Sequence, residues 1–274
     1  MHATSRKRLL GAAFASLAQA GLAIWVLPAS AEDRAAVLLK SMSDYLGAQP
    51  SIAASFDGSM EVVTNDLEKI QFNSSGDFLL VRPDKLRISR KGGFSDVELR
   101  YDGKTAALLG KNSNVFAEVE APGTVDQLLK AIEDQYSITL PGADLLVSNV
   151  FSAVSDNIIE AKYVGPDVIN GVTCDHLAFR GDGLDWQLWI EANGDPIPRK
   201  LVITNKTAAG APQYTIQLSK WQPKPSVAAD SFTFAPPPDG KKLELQEFAS
   251  VTDMDEIPPH IGGGEAPAGN GEKQ

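Results

Sequence analysis

The sequence predicts a mainly β fold with some helix: one large antiparallel sheet of about eleven strands, an N-terminal helix, and short helices on one sheet face. Three observations predict it. Segments of alternating apolar and polar residues recur along the chain, with turn chemistry between them. Helical periodicity is confined to the start and to one interruption near the middle. A twisted sheet of that width tends to curl, and curling encloses an inner face that helices can cover or fill.

The N-terminus precedes the fold. Arg6, Lys7 and Arg8 lead an apolar run over residues 9–27, and Ala29-Ser30-Ala31 supplies small residues before Glu32. This is the grammar of a cleaved secretory signal over residues 1–31, with a membrane anchor as the alternative. Ser5-Arg6-Lys7-Arg8 matches a twin-arginine signal imperfectly, so ordinary secretion is expected. The single cysteine, Cys174, lies far from the cleavage site, which excludes lipid attachment there and any internal disulfide. Without Arg6, Lys7 and Arg8 the formal charge of −10 becomes −13. Such a chain does not suit nucleic acid or an anionic bilayer.

The elements follow in order. Asp33 can cap a helix, on which Val37, Leu38, Met42, Tyr45 and Leu46 recur at helical spacing until Gly47. Strands are expected over residues 52–63, 69–81, 85–90, 96–101, 105–110 and 115–119. Asp102-Gly103-Lys104 and the Lys111 to Asn114 stretch provide turns. Thr124, with Gln127 three residues on, reads as a capping box opening a helix with Val125, Leu128, Leu129 and Ile132 on one face. A second apolar stretch holds Leu145, Leu146, Val150, Phe151 and Val154. Strands resume over residues 158–164, 173–180, 186–191, 200–205 and 213–221, with a short one near Phe232. The domain is expected to span residues 32–248. The Pro- and Gly-rich end, residues 249–274, cannot bury enough surface to order itself.

Within residues 74–90, Arg82-Pro83 interrupts two otherwise regular strands, although proline removes a ladder donor. Gly76, Asp77, Arg82, Pro83 and Leu86, followed by Asp102-Gly103-Lys104 and a helical stretch from Thr124, resemble periplasmic lipoprotein carriers of the LolA type. Residues 169–204, beginning "INGVTCDHLAF", are more similar to a family of uncharacterised predicted periplasmic proteins of that fold. The resemblance implies a curved, half-open barrel with helices as a lid over an apolar cavity. It also implies that Arg82 holds the lid by hydrogen bonds until acyl chains displace it, and that Leu86 lies near the cavity mouth. Guanidinium suits such a role, since a helix end exposes carbonyls and arginine offers five donors.

On this reading Leu145, Leu146, Val150 and Phe151 form the inward face of the lid. Phe56, Phe72, Phe78, Leu80, Ile88, Leu99, Trp186 and Leu188 are the cavity candidates from alternate strand positions. Whether the interior is hollow or packed stays open at this level. Trp186 and Trp189 must face opposite sides of their strand.

Catalytic signatures are sparse. Only His176 lies within the expected domain, two residues from Cys174 and on the same strand face. No further ligand is nearby to close a zinc site, and no nucleophile or phosphate-loop motif occurs. The chain is therefore read as a non-enzymatic periplasmic protein without a cofactor. The resemblance implies that it binds a lipid or an acylated lipoprotein; the alternative is an envelope regulator or scaffold acting through a protein partner.

Overall fold

The computed structural model describes residues 31–136 and 140–252. The expected signal segment, apart from Ala31, and the tail beyond Thr252 lie outside the described residues. A helix, α1 (Ala31–Ala48), precedes six strands: β1 (Ser51–Val63), β2 (Lys69–Val81), β3 (Lys85–Gly92), β4 (Asp96–Tyr101), β5 (Thr105–Gly110) and β6 (Val115–Glu120). A covering segment follows, with α2 (Val125–Tyr136), a 3-10 turn (Ala143–Leu146) and α3 (Val150–Ser155). Five strands complete the meander: β7 (Glu160–Ile169), β8 (Val172–Arg180), β9 (Leu184–Glu191), β10 (Pro198–Asn205) and β11 (Gln213–Pro223). The short β12 (Lys241–Lys242) and α4 (Leu245–Val251) close the chain.

These strands form one curved sheet that does not close, in the order β12-β6-β5-β4-β3-β2-β1-β11-β10-β9-β8-β7. Two meanders thus meet where β1 pairs with β11. Every pairing is antiparallel except that of β12 with β6. The Arg82-Pro83 pair falls in the turn from β2 to β3, where no ladder donor is needed; the bond between them is cis.

One expectation near the C-terminus needs correction. Around Phe232 the chain makes turns, with Ser231 N–H donating to Ala228 and Thr233 N–H to Asp230, so no strand forms there. The last strand comes later, as β12, which covers the outer edge of β6 and removes an exposed ladder. α4 follows it directly, and Leu243, Leu245 and Phe248 are buried. Before β12 the chain crosses the convex face, where Arg100 Nη1 donates to Thr233 O at 2.7 Å and Phe116 packs on Phe234. It then rounds the β6 edge, and α4 sits on the concave side against Gly110.

α1 lies along the concave face of β7 to β9. Arg34 reaches Asp175 at 3.4 Å and stacks over Tyr163, and the Tyr45 hydroxyl donates to Asp195 beyond β9. Leu39, Met42 and Leu46 join Leu177, Phe179, Leu188 and Ile190 in one core, all essentially without solvent exposure. This half of the sheet is packed solid.

The capping box at α2 forms as expected: Thr124 N–H donates to Gln127 Oε1 at 2.8 Å, and Gln127 N–H to Thr124 Oγ1 at 3.3 Å. The approach to α2 is fixed by fully buried Tyr101. Its hydroxyl lies 2.7 Å from Ala121 O and 2.8 Å from Gly123 O, sharing one proton between them. A Tyr101→Phe protein leaves both carbonyls without that donor. We expect it to lose about 1–3 kcal/mol in denaturant unfolding; an unchanged midpoint would show that the hydroxyl does not hold this corner.

Candidate functional site

The concave face of the other half is not filled. A cavity of about 740 Å³ lies between β1 to β6 and β11 on one side and α2 with residues 140–146 on the other. Alternation builds its floor. Cross-strand partners Phe78 and Ile88, then Ile88 and Leu99, then Leu99 and Leu108 carry one apolar row from β2 to β5. Leu128, Ile132, Leu145 and Leu146 face it from the cover. Phe56 can lie flat on β2 because its partner there is Gly76, where a Cβ would collide with the ring.

One wall residue depends on a break in alternation. Between Ala53 and Ser55, β11 carries one extra residue, and Lys220 adopts a left-handed φ of 49°. A bulge of this kind re-aims the side chains after it. Trp221 thereby turns to the concave side, lines the cavity and packs edge-on against Phe78.

The cover spans the opening from α2 to β11. At Gly142, with φ 83°, a side chain would strike Ile216 on the opposite wall, so the cover touches down where only glycine fits. Its other end is held by polar contacts. Arg82 Nη1 donates to Leu146 O at 3.0 Å and Nη2 to Val147 O at 3.1 Å. The Asp126 carboxylate accepts from Ser148 N–H at 3.0 Å and from its hydroxyl at 2.5 Å. Ser43 Oγ of α1 accepts from Phe151 N–H at 2.9 Å. Burial pulls the Arg82 guanidinium below its ordinary value, and the Asp126 carboxylate opposes that shift. Arg82 Nε is buried without a hydrogen-bond partner, so only the two terminal nitrogens of the guanidinium grip the cover.

Of the residues expected at the site, Phe56, Phe78, Ile88, Leu99, Leu145 and Leu146 line the cavity. The others do not. Leu80 and Leu86 are fully buried under the covering segment, Leu86 opposite Tyr101 rather than at a mouth. Leu188 and Trp186 belong to the packed half, where Trp186 stacks on Phe179 at 3.9 Å. Val150 is buried and Phe151 half-buried in α3, which packs on α1 instead of roofing the cavity. Phe72 shares the concave face but lies beyond the lining, and Arg82 acts on the cover from outside. Sequence reasoning missed Leu108, Leu128, Ile132, Ile216, Leu218 and Trp221. Leu128 and Ile132 could have been found from the helical face already noted; Trp221 could not, because its orientation follows from the bulge.

At the cavity wall the Trp221 indole nitrogen is buried without a hydrogen-bond partner, whereas the Glu98 carboxylate is paired with Arg100 and Lys111. Burial alone would raise the Glu98 carboxyl, but Lys111 and Arg100 hold it below the usual carboxylate range. On the convex face, Cys174 is buried, and burial pushes its thiol up. His176 meets Gln187 at 2.9 Å and stacks on Trp189, whose indole N–H donates to Asp167. Trp186 and Trp189 do face opposite sides. Among the described residues no three His, Cys, Asp or Glu side chains are grouped to hold a metal, and no helix is long and apolar enough to cross a membrane.

A family model described as "Predicted periplasmic protein (DUF2092)" matches residues 35–246, from within α1 to the first residues of α4. The chain belongs to the DUF2092 family. That match takes in the whole sheet and its cover, and it agrees with the likeness read from residues 169–204. No curated protein matches this DUF2092 chain. Among solved structures, an uncharacterized conserved protein from Thermus thermophilus is similar over 74% of this chain and 94% of its own, at 9% identity and TM-score 0.45. LprF from Mycobacterium bovis is similar over 73% of this chain and 97% of its own, at 14% identity and TM-score 0.42. A LolA superfamily protein from Nitrosomonas europaea covers 73% and 97%, at 9% identity and TM-score 0.34. The fold of the DUF2092 chain is described by its own strand pairing.

Proposed function

We propose that this chain is an exported periplasmic protein that holds a lipid or the acyl chains of a lipoprotein in the cavity between β1–β6 and α2. The observation that carries this is an apolar space of about 740 Å³ whose cover is fastened at one end by hydrogen bonds to backbone carbonyls. Its volume lies within the roughly 300–1,000 Å³ of small-molecule sites. Each buried methylene contributes about 0.8 kcal/mol, so a long chain binds without charge pairing. The fastening competes with the ligand, which gives a route to release.

Native mass spectrometry of protein purified from an envelope fraction, with displacement of a fluorescent fatty acid as the second measurement, tests this. A bound lipid mass and saturable displacement are expected. Repeatedly empty protein with no displacement, alongside capture of one envelope protein by cross-linking, would replace the carrier with a scaffold.

A further inference from the structure

The β1–β2 ladder runs out to Val63 and Lys69, beyond both of its neighbours. β11 stops pairing at Met60, and β3 stops at Ser74. Residues 61–73 therefore continue the β1–β2 pair past the ladders of both neighbours, with Val62 buried and the β10–β11 turn at Gly210 lying against Val63. Met60 lines the cavity, and its direct partner on β2 is Phe72, on the same concave face. Phe72 meets Phe94, from the turn between β3 and β4, edge-on at 6.0 Å. Phe94 is 48% exposed. An uninterrupted apolar track thus leads from the cavity over Met60 and Phe72 to an exposed ring.

We infer that this track is an extension of the binding site, and that it holds the water-proximal methylenes of an acyl chain too long for the cavity. The inference rests on the carrier reading above. Continuity with the lining identifies the occupant: a chain emerging past Met60 meets Phe72 about 5 Å away and Phe94 next, before it reaches water. Exposed aromatic surface of this kind costs free energy unless something covers it. The ligand class is a single long acyl chain or a lipid carrying one, with its polar end outside.

Binding of short, medium and long saturated fatty acids to the full mature chain tests this, comparing the unaltered protein with Phe94→Ser and Phe94→Leu. Short chains are expected to bind all three equally. Long chains are expected to bind Phe94→Ser more weakly, by about fourfold for each methylene that loses its cover, and Phe94→Leu is expected to restore most of the loss. Equal affinity of all three proteins at every length overturns the extension and leaves the cavity standing. So does loss of vesicle pelleting in Phe94→Ser with an unchanged length profile, which would assign the ring to a bilayer. Failure of the unaltered protein to bind any fatty acid overturns the carrier reading and the extension with it.

Discussion

An Arg82→Ala protein is expected to open its cover about a hundredfold more often than the unaltered chain. Two charge-assisted hydrogen bonds, to Leu146 O and Val147 O, disappear together. Bonds to charged groups contribute about 1.5–3 kcal/mol each, and the pair acts on one element, so the effects do not simply add. Both carbonyls then lie partly buried without a donor. The Asp126–Ser148 contacts remain and keep the segment near its place. Hydrogen exchange separates the outcomes: amides of residues 143–151 should exchange faster, while those of β8 and β9 stay protected. Arg82→Lys should fall between, since a point ammonium cannot fork across two carbonyls. Unchanged exchange over the cover in Arg82→Ala would show that packing, not this arginine, keeps it shut.

The second large effect comes from the division of the concave face. Leu188 is 1% exposed and sits between Leu177 and Leu201 in the half filled by α1. Leu188→Ala should cost about 2–5 kcal/mol of stability, since a packed site cannot collapse around the void. Fatty-acid binding per folded molecule should be unaffected. Leu99→Trp is the mirror case. Its added volume projects into open space on the cavity floor, so it should largely escape the ~1–3 kcal/mol that overpacking a filled core costs, while fatty-acid affinity drops sharply. Denaturant midpoints and probe titrations measured on both proteins decide it. If Leu99→Trp unfolded the chain, or Leu188→Ala emptied the site, the two halves would not be energetically distinct.

Local features are well marked in the sequence. Asp102-Gly103-Lys104 and the alternation around it fix three strands to within a residue or two, and Thr124 with Gln127 fixes the start of α2. The limits lie in long-range relations. Trp186 and Leu188 show the same alternation as Ile88 and Leu99. What separates them is that α1 returns over β7 to β9, a contact between distant parts of the chain with no local signature. Val150 and Phe151 carry an apolar helical pattern that is satisfied equally by α1 or by a ligand. α4 escapes a sequence reading because its surroundings, rich in Pro and charge, obscure Leu243, Leu245 and Phe248.

Arg82 grips oxygen atoms that every amino acid carries, whichever side chains stand at those positions. Leu146, whose side chain lines the cavity, can therefore be exchanged for another apolar residue to suit a different cargo while the clasp itself stays intact. Within such a scaffold, what is carried and how the door is kept shut can evolve independently.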